Sequence, residues 1–231
     1  MWFRMLDPTY WVFALPALIL ALVAQAWVRS SYRKYLRVSN GAGVTGLEAA
    51  ERIMSVAGIR LNVERAQGEL SDHYDPRQRV LRLSPGVARR ASVASLAIVA
   101  HELGHALQDA GDYLPMKLRS GLVPLVNFTS WLGPILFFVG LMFNAEGLAW
   151  LGVLAFAGAV VFALVTLPVE INASRRGLRL LEQSGLLVDQ REKKGARRVL
   201  MAAALTYVAA LAQAISNLLY YVFLLGGRRR D

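Results

Sequence analysis

The sequence predicts a mainly α, polytopic membrane protein: four transmembrane helices joined to a small α+β region. Three observations predict it. The 231 residues are 55% hydrophobic, and the apolar ones gather into four long blocks rather than spreading around one soluble core. Basic residues flank those blocks, within a formal charge of +10 from 26 basic and 16 acidic residues. That is the placement expected of positive charge at a lipid headgroup surface. The stretch between the first two blocks carries strand-like and amphipathic helical patterns of soluble character.

The first predicted transmembrane helix spans 9–28, close to the ~20 residues a bilayer requires. Tyr10, Trp11 and Trp27 mark its two ends like aromatic belts. Ala24-Gln25-Ala26 resembles a signal-peptide cleavage site. The charge pattern favours an uncleaved anchor. Only Arg4 precedes the block, offset by Asp7, whereas Arg29, Arg33, Lys34 and Arg37 follow it.

Residues 29–119 form the soluble region. Thr45-Gly46-Leu47-Glu48 is a capping box, and Leu47, Ala50, Met54 and Ala57 give a helical stripe up to Gly58. Arg60 to Glu64 and Val80 to Leu83 read as strands of a two- or three-stranded sheet, with Asp75-Pro76 breaking the chain between them. Ser84-Pro85 then opens one helix of roughly 22 residues that ends near Asp109, with Gly111 just beyond.

The next two spans are predicted at 120–143 and 147–168. Only Asn144-Ala145-Glu146 separates them, so they form a helical hairpin. A basic helical segment covers 169–198, and the last span covers 199–225. Two crossings return the chain to the side it left, so residues 29–119 and 169–198 share one side of the membrane. Arg29 to Arg37, Lys117, Arg119, Arg175, Arg176, Arg179 and Lys193 to Arg198 cluster there. The positive-inside rule makes that side cytoplasmic, with the terminal Arg228 to Arg230 dissenting. Gln213 and Asn217, four apart in the last span, read as partners for a neighbouring helix.

The chain has three histidines and no cysteine. Disulfides and thiolate zinc sites are therefore excluded. No recognised nucleic-acid motif accompanies the basic charge, so no nucleic-acid partner is expected. Two of the histidines fall in His101-Glu102-Leu103-Gly104-His105. On a helix this spacing puts both imidazoles on one face, one turn apart. Glu102 points aside, where it can take a proton from a water that a metal activates. This is HExxH, the zincin signature, and it makes residues 29–119 a zincin-like catalytic region.

A hydrolytic zinc site takes three protein ligands and keeps one position open. His101 and His105 supply two. A third histidine at metzincin spacing would be residue 111, which is Gly111. Asp109 and Asp112 lie at the end of the same helix and cannot easily swing back. Glu170, on the same side of the membrane at the start of a helical segment, is the preferred third ligand, with Glu182 as the alternative. The segment 169–198 would then complete the metal site, with one Zn2+ per chain. Ser174, four residues after Glu170, is the small polar group that can hold a ligating imidazole, as in gluzincins. Glu102 is the expected general base. A donor to the substrate's carbonyl oxygen is drawn from His73, Tyr74, Tyr113 and Arg176. As a local feature, His73 reads as a turn residue beside Asp72 and Asp75.

His101-Glu102-Leu103-Gly104-His105-Ala106-Leu107-Gln108, Asp72-His73-Tyr74-Asp75-Pro76-Arg77 and Leu167-Pro168-Val169-Glu170-Ile171-Asn172-Ala173-Ser174-Arg175-Arg176 together resemble the YugP-type neutral zinc metallopeptidases of bacterial membranes. Thr206-Tyr207-Val208-Ala209-Ala210 fits as well. The resemblance covers nearly the whole chain. It implies a zinc-dependent peptidase of the bacterial inner (plasma) membrane, multi-pass, with His101, His105 and Glu170 as ligands. A more remote similarity is to the HtpX-like gluzincin peptidases, where the position of Ser174 is usually Asp.

The expected partners are the lipid bilayer and a protein or peptide substrate. Pro168 lies between the third span and Glu170, which places the active site near the membrane surface and favours membrane or juxtamembrane substrates. The sheet could receive an extended peptide by strand addition. The competing reading is a non-enzymatic metal-binding membrane scaffold or transporter, and hydrolysis of a non-peptide bond is a third. Intramembrane proteolysis is disfavoured, because Arg89, Arg90 and Asp109 bracket an HExxH helix too short to span lipid.

Overall fold

The computed structural model describes residues 8–228. Arg4, Asp7, Arg229 and Arg230, which entered the topology reading, lie outside them. The elements run α1 (Pro8–Leu36), α2 (Gly46–Ala57), β1 (Asn62–Arg65), β2 (His73–Asp75), β3 (Val80–Leu83), α3 (Pro85–Arg89), α4 (Val93–Ala110), α5 (Leu114–Met142), α6 (Glu146–Gln183) and α7 (Gln190–Arg228). The protein is thus mainly helical with one small sheet. Four helices, α1, α5, α6 and α7, are long and apolar enough to cross a membrane.

The chain divides into two compact units. The first takes the described residues through Ala24, then Lys117–Pro168 and the residues from Thr206 on. Its packing is aromatic: the Phe137 and Tyr221 rings lie 4.5 Å apart, and Tyr10 meets Tyr220 edge-on at 5.1 Å. The hairpin of α5 and α6 turns at Asn144, which takes a left-handed φ of 52°. A Cβ on Gly140 would sit 2.4 Å from the Ala149 backbone, and one on Gly152 2.4 Å from that of Phe137. Small residues let these helices touch backbone to backbone where no water drives association. Gln213 donates along its own helix to Asn217 at 3.4 Å.

The second unit, Gln25–Met116 with Val169–Leu205, holds the HExxH helix and the sheet. Thr45 and Glu48 close the expected capping box on α2, and Gly58 ends that helix in the left-handed conformation. The buried face is rotated from the expected stripe. Ala49, Ala50, Ile53 and Met54 are buried, whereas Leu47 is exposed. The sheet has three strands in the order β1-β3-β2, with β1 parallel and β2 antiparallel to β3. Leu81 and Leu83 of β3 pack into one core with Ile53, Val87, Leu96 and Leu103.

Two expected helices are each broken in two. The helix expected from Ser84 to Asp109 stops at Arg89 and restarts at Val93. The intervening backbone pairs instead with residues 38–40: Asn40 N donates to Ala91 O, and Val93 N to Val38 O. Ser92 then caps α4 by accepting from Ser95 N. At the far end, the left-handed residue is Asp112 (φ 53°) rather than Gly111. Likewise, the basic segment 169–198 is not one helix. It breaks at Gly185 (φ 65°), so its first half continues α6 and its second half opens α7. Glu192 holds that break together by accepting from Val188 N and Gly41 N.

Candidate metal centre

α4 carries His101, Glu102 and His105 because its buried face is long and uninterrupted: Val93, Leu96, Ala97, Ala100, Leu103 and Gly104 all face the core. The helix pins the two imidazoles one turn apart, with ring centroids 4.8 Å from each other and planes at 84°. α6 passes through Pro168 without ending and presents Glu170, whose side chain is 2% exposed. Its Oε2 lies 3.3 Å from His101 Nε2 and 3.4 Å from His105 Nε2.

Those separations test whether a metal fits. Ligand atoms about 2.05 Å from a tetrahedral zinc lie about 3.3 Å from one another. Two imidazole nitrogens and one carboxylate oxygen are moreover the donor set zinc takes in hydrolases. The three atoms lie within 4.8 Å of one another, and they form the metal-competent cluster found among the described residues. The group fits.

Glu102 stands outside that cluster. It is buried, and its Oε2 accepts from Tyr74 N at 2.9 Å. Burial pushes its carboxyl above the usual carboxylate range, against the opposing pull of His101, His105 and the Tyr74 N–H. A carboxyl so placed holds a proton more readily than a surface glutamate does.

The outer faces of the imidazoles are held differently. His101 Nδ1 lies 3.1 Å from Ser174 Oγ, the contact the sequence expects. His105 Nδ1 lies 3.0 Å from Gln108 Oε1. Gln108 Nε2 reaches across to α6, to Val169 O at 2.8 Å and Asn172 Oδ1 at 3.1 Å. Asn172 Oδ1 also accepts from Arg176 Nε at 2.7 Å, and the Arg176 guanidinium lies over the Tyr113 ring at 5.7 Å.

The other expected donors fare unequally. Tyr74 touches the site through its backbone N–H. Its hydroxyl donates to Asp109 Oδ2 at 2.8 Å, and burial and that bond push it up to about 12. His73 is not a turn residue: it lies in β2 and pairs with Arg82 of β3, and its Nδ1 lies 2.8 Å from Ser71 O. Its imidazole is exposed and not part of the metal cluster. Arg176 and Tyr113 lie at the end of the chain of contacts that starts at His105. Sequence reasoning gave no role to Gln108 or Asn172. The signal for Gln108 was its i+3 spacing from His105, which shares a helix face.

A pair of imidazoles on one helix and a carboxylate from a second form a cluster that could hold a metal, with a buried glutamate beside it, the class of site that metallohydrolases carry. Here they stand in a chain with four helices fit to cross a membrane. Comparison with known proteins narrows the class. Residues 10–226 match the family described as "Putative neutral zinc metallopeptidase", and the chain belongs to that family. It is 42% identical over 214 residues to "Putative membrane protease YugP" of Bacillus subtilis (strain 168), covering 92% of this chain and 95% of that one. No solved structure matches the chain. The protein is therefore a zinc metallopeptidase, a hydrolase associated with membranes, and a purely structural scaffold or transporter does not describe it.

Proposed function

We propose that the protein is an endopeptidase of the bacterial plasma membrane that holds one zinc per chain through His101, His105 and Glu170. Its substrates are membrane proteins or their juxtamembrane segments, cut on the cytoplasmic side. The observation that carries this reading is the meeting of Glu170 with both imidazoles, with Glu102 left unligated beside them.

Bound zinc supplies Lewis-acid activation of a water and of the scissile carbonyl. Glu102 takes the proton of the attacking water and passes it to the leaving amine. Tyr74 N holds the Glu102 carboxylate in place for both transfers. Ser174 sets the plane of the His101 ring. β2 is an edge of the sheet, and its Tyr74 N–H reaches Glu102. A peptide added along that edge would run beside the base.

Two features support the membrane placement. Glu170 follows Pro168 by two residues on the helix that contains a candidate span, roughly 3 Å of helical rise. Arg29, Arg33, Lys34, Arg37, Arg175 and Arg179 all belong to the unit that holds the site, as positive-inside placement expects.

Glu102→Gln tests the reading. The variant should bind zinc like the parent and lose at least about 100-fold in cleavage of casein or a membrane protein. Unchanged cleavage would remove Glu102 from the mechanism. Full-rate cleavage by residues 29–120 alone would refute a site completed by α6.

A further inference from the structure

We propose that Gln108 is a positioning residue: it locks His105 into the tautomer with hydrogen on Nδ1, and it ties that tautomer to the segment of α6 that bears Glu170. The inference rests on the reading of His101, His105 and Glu170 as zinc ligands and adds a residue that reading does not contain.

Groups with fixed hydrogen-bonding roles assign the roles of their neighbours. A backbone carbonyl only accepts, and a guanidinium only donates. Val169 O lies 2.8 Å from one end of the Gln108 side chain, so that end is the NH2. Turned over, the amide would press its oxygen against the carbonyl oxygen. The second hydrogen of the same nitrogen points at Asn172 Oδ1, 3.1 Å away. That atom is an oxygen because Arg176 Nε donates to it at 2.7 Å. Both hydrogens of the amide are thereby used, and Gln108 Oε1 is the end that meets His105 Nδ1 at 3.0 Å. An amide oxygen can only accept, so Nδ1 carries the hydrogen. In the neutral ring, His105 Nε2 then keeps its lone pair, on the side where Glu170 Oε2 lies 3.4 Å away. Gln108 is fully buried, so water does not compete for these bonds.

His101 provides the contrast. Its Nδ1 meets the hydroxyl of Ser174, which can donate or accept. Ser174 therefore orients a ring without choosing its tautomer, whereas Gln108 does both. The network also links tautomer to helix position. Gln108 makes its bonds only while Val169 and Asn172 stay opposite α4, so His105 is set for metal only when Glu170 is in place.

Partner groups of this kind are typically worth about 10–100-fold in metal affinity. The full chain in detergent, loaded with zinc and titrated with a competing chelator, should bind about 10–100-fold more weakly as Gln108→Met. Ser174→Ala should lose less. A folded Gln108→Met that binds zinc like the parent would overturn the proposal. A second measurement needs no variant at the site. Nitrogen-15 NMR of histidine-labelled parent protein has only three histidines to resolve. His105 should show a protonated Nδ1 and a metal-bound Nε2. A protonated Nε2, or zinc on Nδ1, would overturn the proposal even if Gln108→Met fails to fold. If His105→Ala leaves zinc affinity unchanged, the metal reading itself fails, and the proposal with it.

Discussion

The two helices that meet at the metal centre supply it in opposite ways. α4 delivers both imidazoles, Glu102 and Gln108 from one short run, and helical spacing alone puts the two rings on one face. α6 delivers Glu170, Asn172 and Ser174 from a helix that begins far from α4 in sequence and must be brought to it. What brings it is close packing of two backbones. A Cβ on Gly104 would lie 2.4 Å from Ala173 O, and a Cβ on Gly177 would lie 2.7 Å from Ala100 O. Each helix therefore has a glycine where the other's backbone passes. One half of the site is local geometry, and the other half exists only while this contact holds. The glycine inside the HExxH motif belongs to the second half.

The largest effect expected from breaking that contact comes from Gly104→Ala. The added methyl meets backbone, which cannot swing aside, so the helices must separate. Overpacking of this kind costs about 1–3 kcal/mol. Zinc affinity and peptidase activity should fall together, by at least about 10-fold, since the ligands on α4 would no longer face Glu170. Chelator competition and a melting curve check both. A Gly104→Ala protein with parental zinc affinity would mean that helix contact does not set the metal geometry.

The smallest effect comes from a carboxyl on neither helix. Burial pushes Asp72 up, although Ser84 N and Ser84 Oγ both donate to it. The folded chain then holds that proton more tightly than the unfolded chain, whose value is near 3.9. Stability therefore falls as pH rises through the raised value and is regained on acidification. Asp72→Asn keeps an oxygen for the Ser84 N–H and should flatten that dependence in melts between about pH 4 and about pH 7, with zinc affinity unchanged. Equal pH slopes in parent and variant would contradict the assignment. A change in zinc affinity would show that the site feels more than the contact of α4 with α6.

This split also explains what could be read from the sequence. His101, Glu102 and His105 were legible because four-residue spacing is a property of one helix. The Thr45 capping box and the Gly58 stop were legible for the same reason. Glu170 needed a topological argument: two predicted spans, 120–143 and 147–168, would return the chain to the side of α4. Ser174 followed from Glu170 by spacing. Gln108 and Asn172 carried no role because a polar residue near a helix end resembles a solvated one, and only the Val169 carbonyl across the contact shows otherwise. The helix from Ser84 was misread where residues 90–92 leave helical geometry to pair with residues 38–40, a partner invisible from local pattern. The break in the basic segment 169–198 was signalled only by Ser184-Gly185, within a run from 183 to 188 that carries no charge, and Gly185 there takes the left-handed conformation. On α2, the pattern indicated a helix correctly but turned its buried face by about one position, leaving Leu47 outside.

Whether residues from both helices grip one metal ion can be measured on the metal itself. X-ray absorption at the zinc edge, with metal content per chain, tests it most directly on the parent and on Glu170→Ala. One zinc per parent chain is expected, coordinated by two imidazoles and a carboxylate, with a variant that loses the carboxylate and most of its affinity. A Glu170→Ala protein with the parent's spectrum and the parent's zinc content would contradict it.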